Sequence, residues 1–503
     1  MSDETLALTF CLRRPSATRH RPGSVNDLAE LLPRVSRQEL ASRRERELAR
    51  AIAGIHRFAR RHGMTVVSAD AARCRVNILA RHGSVERAFG TKPGSVHRRG
   101  RHARAPKRSR ILPADLSSSV HAVLGLDSRL RVKRGLRPMA GPDGAAGLLP
   151  TAMAALYGMR TGGQGKGQSI AIIEPAGGYD RADLVQSFAN MALAVPEVVD
   201  VNVGAGVNAF GQNVEADKEV ALDIQVAGAV APGATLVVYF CENNERGLAD
   251  GVAQAVHDQV HAPSVIVITW GEPEVQWPRA ARAAMDAALA DAISLGVTVI
   301  VAAGDNLATD GMMDGRAHVD YPASSPYALS CGGTLLTLDA SGTRIDREDV
   351  WNERTRGTGG GISDVYAIPA YQQRTTLPVS VNHARRGRGV PDMAAAASDT
   401  NGYRIVVNGS PLVTGGTSAV APLVGGFVAL LNEQRGHAVG FINPALYEAP
   451  ALLRPVTSGD NRSFGTNIGY DAGPGWSACA GLGSPRGPEI ARVLANPANR
   501  DTG

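Results

Sequence analysis

VIVITWGEPEVQWPRAARAAMDAALADAISLGVTVIVA, residues 265–302, is the stretch that decides the fold. Val265–Thr269 and Val297–Ala302 are short apolar runs rich in β-branched residues, the pattern of strands buried on both faces. Pro278–Leu295 between them reads as a helix. The same alternation extends towards the N-terminus. Ser169–Ile173 (SIAII) and Thr235–Phe240 (TLVVYF) read as two more buried strands, and Arg181–Leu193, Val214–Ala229 and Gly247–Gln259 as helices. Alternating strands and helices predict an α/β body, a doubly wound and mostly parallel sheet with flanking helices. In such a sheet, reactive groups collect at the carboxyl ends of the strands.

Ahead of this body the pattern changes. Leu6, Leu8, Phe10 and Leu12 alternate as in a strand, as do Val76, Ile78 and Ala80. Between them Gln38–Arg61 carries Leu40, Leu48, Ile52 and Ile55 at helical spacing. Residues 1–132 are therefore expected to form a small α+β domain, 133–148 an exposed linker open to proteolysis, and 149–503 the body. Charge divides at the same place. Residues 1–140 hold 30 Lys and Arg against 11 Asp and Glu, a net of +19; the rest hold 23 against 36, a net of −13. A basic arm can bind nucleic acid, but this one lacks the interleaved aromatics of a single-strand binder. Docking of the leader on its own acidic body is the preferred reading. It predicts release in acid, as carboxylates protonate and the leader histidines gain charge.

No apolar run is long enough for a membrane span, and the start, Met-Ser-Asp-Glu-Thr, has no secretory pattern. The five cysteines are widely spaced without a CxxC or CxxH pair, which suits buried or free thiols.

The chemistry is carried by three segments. Gly415-Gly416-Thr417-Ser418-Ala419-Val420-Ala421-Pro422 reads as a tight turn opening a buried helix. Ser418 stands there either as a helix cap or as a nucleophile at a helix N-terminus. A serine nucleophile needs a base, and the body histidines (His257, His261, His318, His383 and His437) lie in no motif that would supply one. Glu219 and Asp223, four apart, share a helical face bordered by Ala and Val; an exposed acidic face is the alternative. Asp305, in Ala302-Ala303-Gly304-Asp305, follows a buried strand and either caps the next turn or reaches into the cleft.

In combination and order these motifs resemble the sedolisins, the serine-carboxyl peptidases, and among them the kumamolisin-like members. Further segments carry the likeness: Ile172-Ile173-Glu174 with Gly177-Gly178-Tyr179, Thr269-Trp270-Gly271, Tyr321-Pro322-Ala323-Ser324-Ser325-Pro326, Gly359-Gly360-Gly361-Ile362-Ser363 and Gly473-Pro474-Gly475-Trp476. Arg87-Ala88-Phe89-Gly90-Thr91 in the leader resembles the family's propeptide.

The resemblance implies a subtilisin-like fold and an acid-active serine endopeptidase, made as a self-processing zymogen and inhibited by its own propeptide. Ser418 would be the nucleophile, Glu219 the general base, Asp223 its orienting partner and Asp305 the oxyanion-hole acid. Glu174 and Trp270 would extend the network behind the base, and Asp320 would line the specificity pocket. Polypeptides are the expected partners, with no nucleic acid or membrane; the protein would be monomeric and extracellular. No cofactor is needed for the chemistry. The structural calcium usual in the family is doubtful here. The matching positions Pro455, Val456, Gly473, Gly475 and Ser477 lack the two acidic ligands, and carbonyls alone hold a hard dication weakly. Asn306-Leu307 also departs from the small pair common after the oxyanion acid. The competing readings are an inactive peptidase-like binding protein and a subtilisin-like protease of neutral optimum. The four intact catalytic positions oppose the first, and the missing histidine motif opposes the second.

Overall fold

The computed structural model describes residues 5–14, 35–90, 93–98, 101–106, 112–127, 129–134, 147–160 and 162–495. The body is built on one sheet of eight strands. Seven lie in the order Ile345–Val350, Leu329–Leu338, Thr298–Ala302, Val265–Ile268, Ser169–Glu174, Thr235–Phe240, Val198–Asn202, and Met393–Ala396 joins the Leu329–Leu338 strand. All neighbours are parallel except Ile345–Val350. Strand order reverses at Ser169–Glu174, with Thr235–Phe240 on one side and Val265–Ile268 on the other. A cleft opens above such a switch point, and the buried Glu174 ends the strand beneath it.

Side chains along each strand alternate between two cores, as a period of two requires. Ile170, Ile172, Leu236 and Val238 enter one cluster; Ala171, Ile173, Val237 and Tyr239 enter the other. The expected helices are present as Arg181–Asn190, Val214–Val230, Glu245–His257 and Arg279–Ser294. The Val214–Val230 helix is buried from Ala216 onward along most of its length and lies beside the equally buried Thr417–Arg435 helix. Helices buried on nearly every face are stable only inside a core.

The leader forms a four-stranded antiparallel sheet in the order Met64–Asp70, Arg75–Arg81, Thr5–Leu12, Val120–Leu124. Its helix, Arg37–His62, starts on a reciprocal cap: Glu39 N–H donates to Ser36 Oγ (3.1 Å) and Ser36 N–H to Glu39 Oε2 (2.8 Å). Leu6, Leu8, Phe10 and Leu12 face that helix, against Leu48, Ile55 and Phe58. Cys11, Ala122 and Leu124 instead join the body's cluster, against Leu248, Val252, Met285 and Ala288 of the Glu245–His257 and Arg279–Ser294 helices.

The basic leader meets the acidic body at this interface through buried ion pairs. Asp291 receives both Arg14, at 2.6 and 2.7 Å, and Arg44, at 2.8 Å on each oxygen. His257 Nε2 lies 2.9 Å from the same carboxylate. Asp250 takes Arg75 (2.7 Å) and the Thr9 hydroxyl (2.8 Å). The expected loosening by carboxylate protonation does not apply to Asp291. Against the cost of burial, its two guanidiniums hold it well below the usual carboxylate range, so it stays charged in mild acid. Two buried histidines at the interface are shifted as well. Burial depresses His257, and burial with Arg14 and Arg75 nearby brings His121 down to about 4.

Beyond the leader, Lys133–Arg134 pairs antiparallel with the Trp270–Pro273 strand, Lys133 opposite Gly271 and Arg134 opposite Trp270. The rest of the expected linker, residues 135–146, lies outside the described residues. All five cysteines are buried and unpaired with one another.

Candidate active site

Glu219 and Asp223 project from the first turns of the Val214–Val230 helix, and both are fully buried. The alternative of a solvated acidic face is therefore excluded. Glu174, at the end of its strand, closes the group from below. Its Oε2 accepts from Trp270 Nε1 (2.8 Å), and Asp223 Oδ2 accepts from the Thr269 hydroxyl (2.9 Å). Burial and the mutual repulsion of Glu174, Asp223 and Glu219 push Glu174 and Asp223 well above the ordinary range.

Across the cleft, Gly416 takes φ 112° and caps the Thr417–Arg435 helix without a side-chain bond. Ser418 is therefore not the cap but the second residue of the first turn. At Gly416 a Cβ would collide with Asp305 Oδ2, so the turn admits glycine alone. Asp305 follows the Thr298–Ala302 strand, and its Oδ1 accepts from Thr417 N–H and the Thr417 hydroxyl, each at 2.8 Å. That hydroxyl accepts in turn from Gly304 N–H at 3.1 Å. Burial raises Asp305 to about 6, against the lowering pull of Arg356 and Thr417. Ser418 Oγ is buried and makes no hydrogen bond among the described residues, so a serine–glutamate contact is not closed here. Catalytic hydrogen bonds often tighten only around substrate.

Asp320 lines a recess with Glu272, Asp310, Gly271, Gly304 and Asp305, and Lys133 at the start of the linker reaches into it. Lys133 Nζ lies 3.0 and 3.1 Å from the two Glu272 oxygens. Burial, then Asp310 and Glu272, push Asp320 well above its usual range, while Lys133 pulls it down. Glu272 and Asp310 were not singled out from the sequence, nor was Arg356, whose Nη2 is 3.4 Å from Asp305 Oδ2. Lone charged residues in loops carry no pattern; only the fold brings them to the cleft.

The calcium positions hold no carboxylate. Pro455 has no side-chain oxygen, and Ser477 Oγ accepts from Ala480 N–H at 3.2 Å. Nearby, Asp471 is taken by Arg462 (3.1 and 2.6 Å), and Asp460 Oδ1 accepts from Asn352 (3.0 Å) and Arg462 N–H (2.8 Å). These donors do not fit a calcium ion, which takes six to eight oxygens, carboxylates among them.

Residues 35–129 match the family model of the pro-kumamolisin activation domain, and 204–446 match that of the subtilase family. Kumamolisin from Bacillus sp. (strain MN-32) is 42% identical over 461 residues, covering 88% of this chain and 82% of that protein. The chain belongs to the sedolisin family of serine-carboxyl peptidases. Sedolisin from Pseudomonas sp. (strain 101) is 29% identical over 431 residues, 80% of this chain and 72% of its own. The solved structure of Pseudomonas sedolisin with two molecules of pseudo-iodotyrostatin superposes with a TM-score of 0.62 at 28% identity, covering 70% of this chain and 98% of that one. This family member is thus a peptide-bond hydrolase of subtilisin-like fold, carrying an activation domain ahead of its peptidase body.

Proposed function

We propose that this sedolisin-family peptidase is an acid-active endopeptidase in which Ser418 attacks, Glu219 takes its proton and Asp305 stabilises the oxyanion. The observation that carries the reading is Asp305. It is a buried carboxyl, raised to about 6, bonded to the residue before Ser418 at the mouth of that helix. Such a group is neutral in mild acid and can donate a hydrogen bond to a developing negative charge. A carboxylate base keeps some ionised form near pH 4, where imidazole would be fully protonated.

The chemistry then runs in two halves. Ser418 Oγ adds to the scissile carbonyl carbon as its proton passes to Glu219, and the carbonyl oxygen turns toward Asp305. Collapse breaks the C–N bond, and the leaving amine takes the proton from Glu219. Water repeats the sequence on the acyl-enzyme and returns Ser418 to its hydroxyl form. Asp223, Glu174 and Trp270 form the buried network behind the base. Ser418→Ala in a folded protein should lose several orders of magnitude in rate; a folded variant keeping a tenth of wild-type activity would overturn the assignment.

The acidic recess supports a preference for Lys or Arg in the substrate, with Asp320 as the specificity residue and Glu272 and Asp310 beside it. Lys133 gives that preference an internal example, since the Lys133–Arg134 strand at the start of the linker pairs with Trp270–Pro273 and sends its ammonium group into the recess. We assign residues 1–132 as the inhibitory propeptide, 133–148 as the linker removed by the enzyme itself, and 149–503 as the mature peptidase.

A further inference from the structure

Arg356 is a buried cation set directly behind the proposed oxyanion acid. It lies on the loop between the Ile345–Val350 strand and Gly359, and it is 4% exposed. Its Nη2 is 3.4 Å from Asp305 Oδ2, its Nη1 is paired with Asp399, and its guanidinium sits 5.3 Å from the Trp351 ring centre. The loop is fixed to the same residue by its backbone, because Gly357 N–H donates to the Asp305 carbonyl at 3.1 Å. The loop that carries Arg356 is therefore tied to the backbone of Asp305.

The two oxygens of Asp305 are not equivalent. Oδ1 accepts both bonds from Thr417, which leaves Oδ2 as the oxygen that can carry a proton. Oδ2 is the one facing Arg356. A cation at this distance favours the ionised carboxylate, whereas burial favours the neutral acid. Other charges enter the balance: Asp399 neutralises part of Arg356, Glu353 acts on Asp399, and Asp320 shares a recess with Asp305, Asp310 and Glu272.

We infer that Arg356 is a positioning residue that sets the pH above which the oxyanion acid becomes charged and the enzyme switches off, with Asp399 tempering its effect. The inference rests on the proposed role of Asp305. It predicts opposite shifts from two neutralising changes. Arg356→Met removes the cation, so Asp305 stays protonated to higher pH and the alkaline limb of kcat/KM moves up by about one pH unit or more. Asp399→Asn leaves more of the Arg356 charge acting on Asp305 and moves the limb down. Arg356→Lys keeps the charge and should bring the limb back towards the wild-type position.

The experiment uses the full chain activated in acid, with kcat/KM measured on a Lys-containing peptide from pH 3 to pH 8. The affinity of a peptide aldehyde over the same range gives a readout independent of turnover. An upward shift with Arg356→Met, restored by Lys, supports the inference. A limb unmoved or moved down with Arg356→Met overturns it. Should that variant fail to fold, an Asp399→Asn limb unmoved or moved up overturns it equally. Asp305→Ala separates the two levels: full activity there refutes the oxyanion assignment, whereas its loss beside an unshifted Arg356→Met profile refutes this inference alone.

Discussion

Replacing His121 with Gln keeps a polar side chain at the leader–body interface but removes its ability to take up a proton. His121 lies on the leader strand Val120–Leu124 and lines the interface with Arg14, Arg73, Arg75, His257 and Asp291. Burial first, then the arginines, lower it from 6.5 to about 4. The sign follows from linkage: the docked leader binds fewer protons than the released one between these values, so docking is favoured above about 6.5 and weakened as pH falls through that window. A shift of this size bounds the effect at roughly 3 kcal/mol near pH 4. Arg13, Arg14 and Arg75 belong to the leader and leave with it, so the net loss is nearer 1–2 kcal/mol, about a 5- to 30-fold change in the release equilibrium.

The assay is conversion of purified precursor to leader-free enzyme, followed by gel electrophoresis from pH 7 to pH 3. His121→Gln should shift the midpoint to lower pH by about half a unit to one unit, and His121→Lys, charged throughout, should release its leader already near neutrality. Superimposable curves for wild type and His121→Gln would refute the reasoning.

Asp320→Asn should lower kcat/KM for peptides with a basic P1 side chain roughly tenfold or more, and for Leu peptides much less; equal losses would return Asp320 to a merely structural role. EDTA should leave Tm within about 1 °C, since a metal not bound by the native state adds nothing to its stability; a large calcium-dependent stabilisation reversed by chelation would show that other oxygens rebuild the site. Gly416→Ala, forced to φ 112° with its Cβ against Asp305, should cost about 1–3 kcal/mol in a thermal melt and reduce kcat; wild-type values of both would show that the turn relaxes freely.

Four central strands were legible because each is a short apolar run rich in β-branched residues among helical stretches, whereas Leu329–Leu338, Ile345–Val350 and Met393–Ala396 carry no such run. The Val198–Asn202 strand escaped that reading. It lies at the sheet edge, half-exposed, and its sequence VVDVN lacks a continuous apolar run. Glu219 and Asp223 could be found because spacing on a helix is a local property and their neighbours are apolar. Thr417, Arg356, Glu272 and Asp310 could not. Their importance comes from contacts across long stretches of chain, such as Thr417 to Asp305 and Lys133 to Glu272. The pairing of Asp291 with two leader arginines was hidden for a similar reason. Net charge names no partner, whereas Asp291 at the interface is clamped by two guanidiniums.

That clamp also acts as a test of assembly. Arg14 follows the leader's first strand and Arg44 lies on its helix, so the two reach Asp291 together only once sheet and helix have packed on each other. A leader that has lost its own core can offer one guanidinium or the other, but not both in register. Inhibition is thereby conditional on folding: damage to the leader's core far from the interface, at Phe10 or Phe58 for instance, would read out as premature activity rather than as a weaker contact.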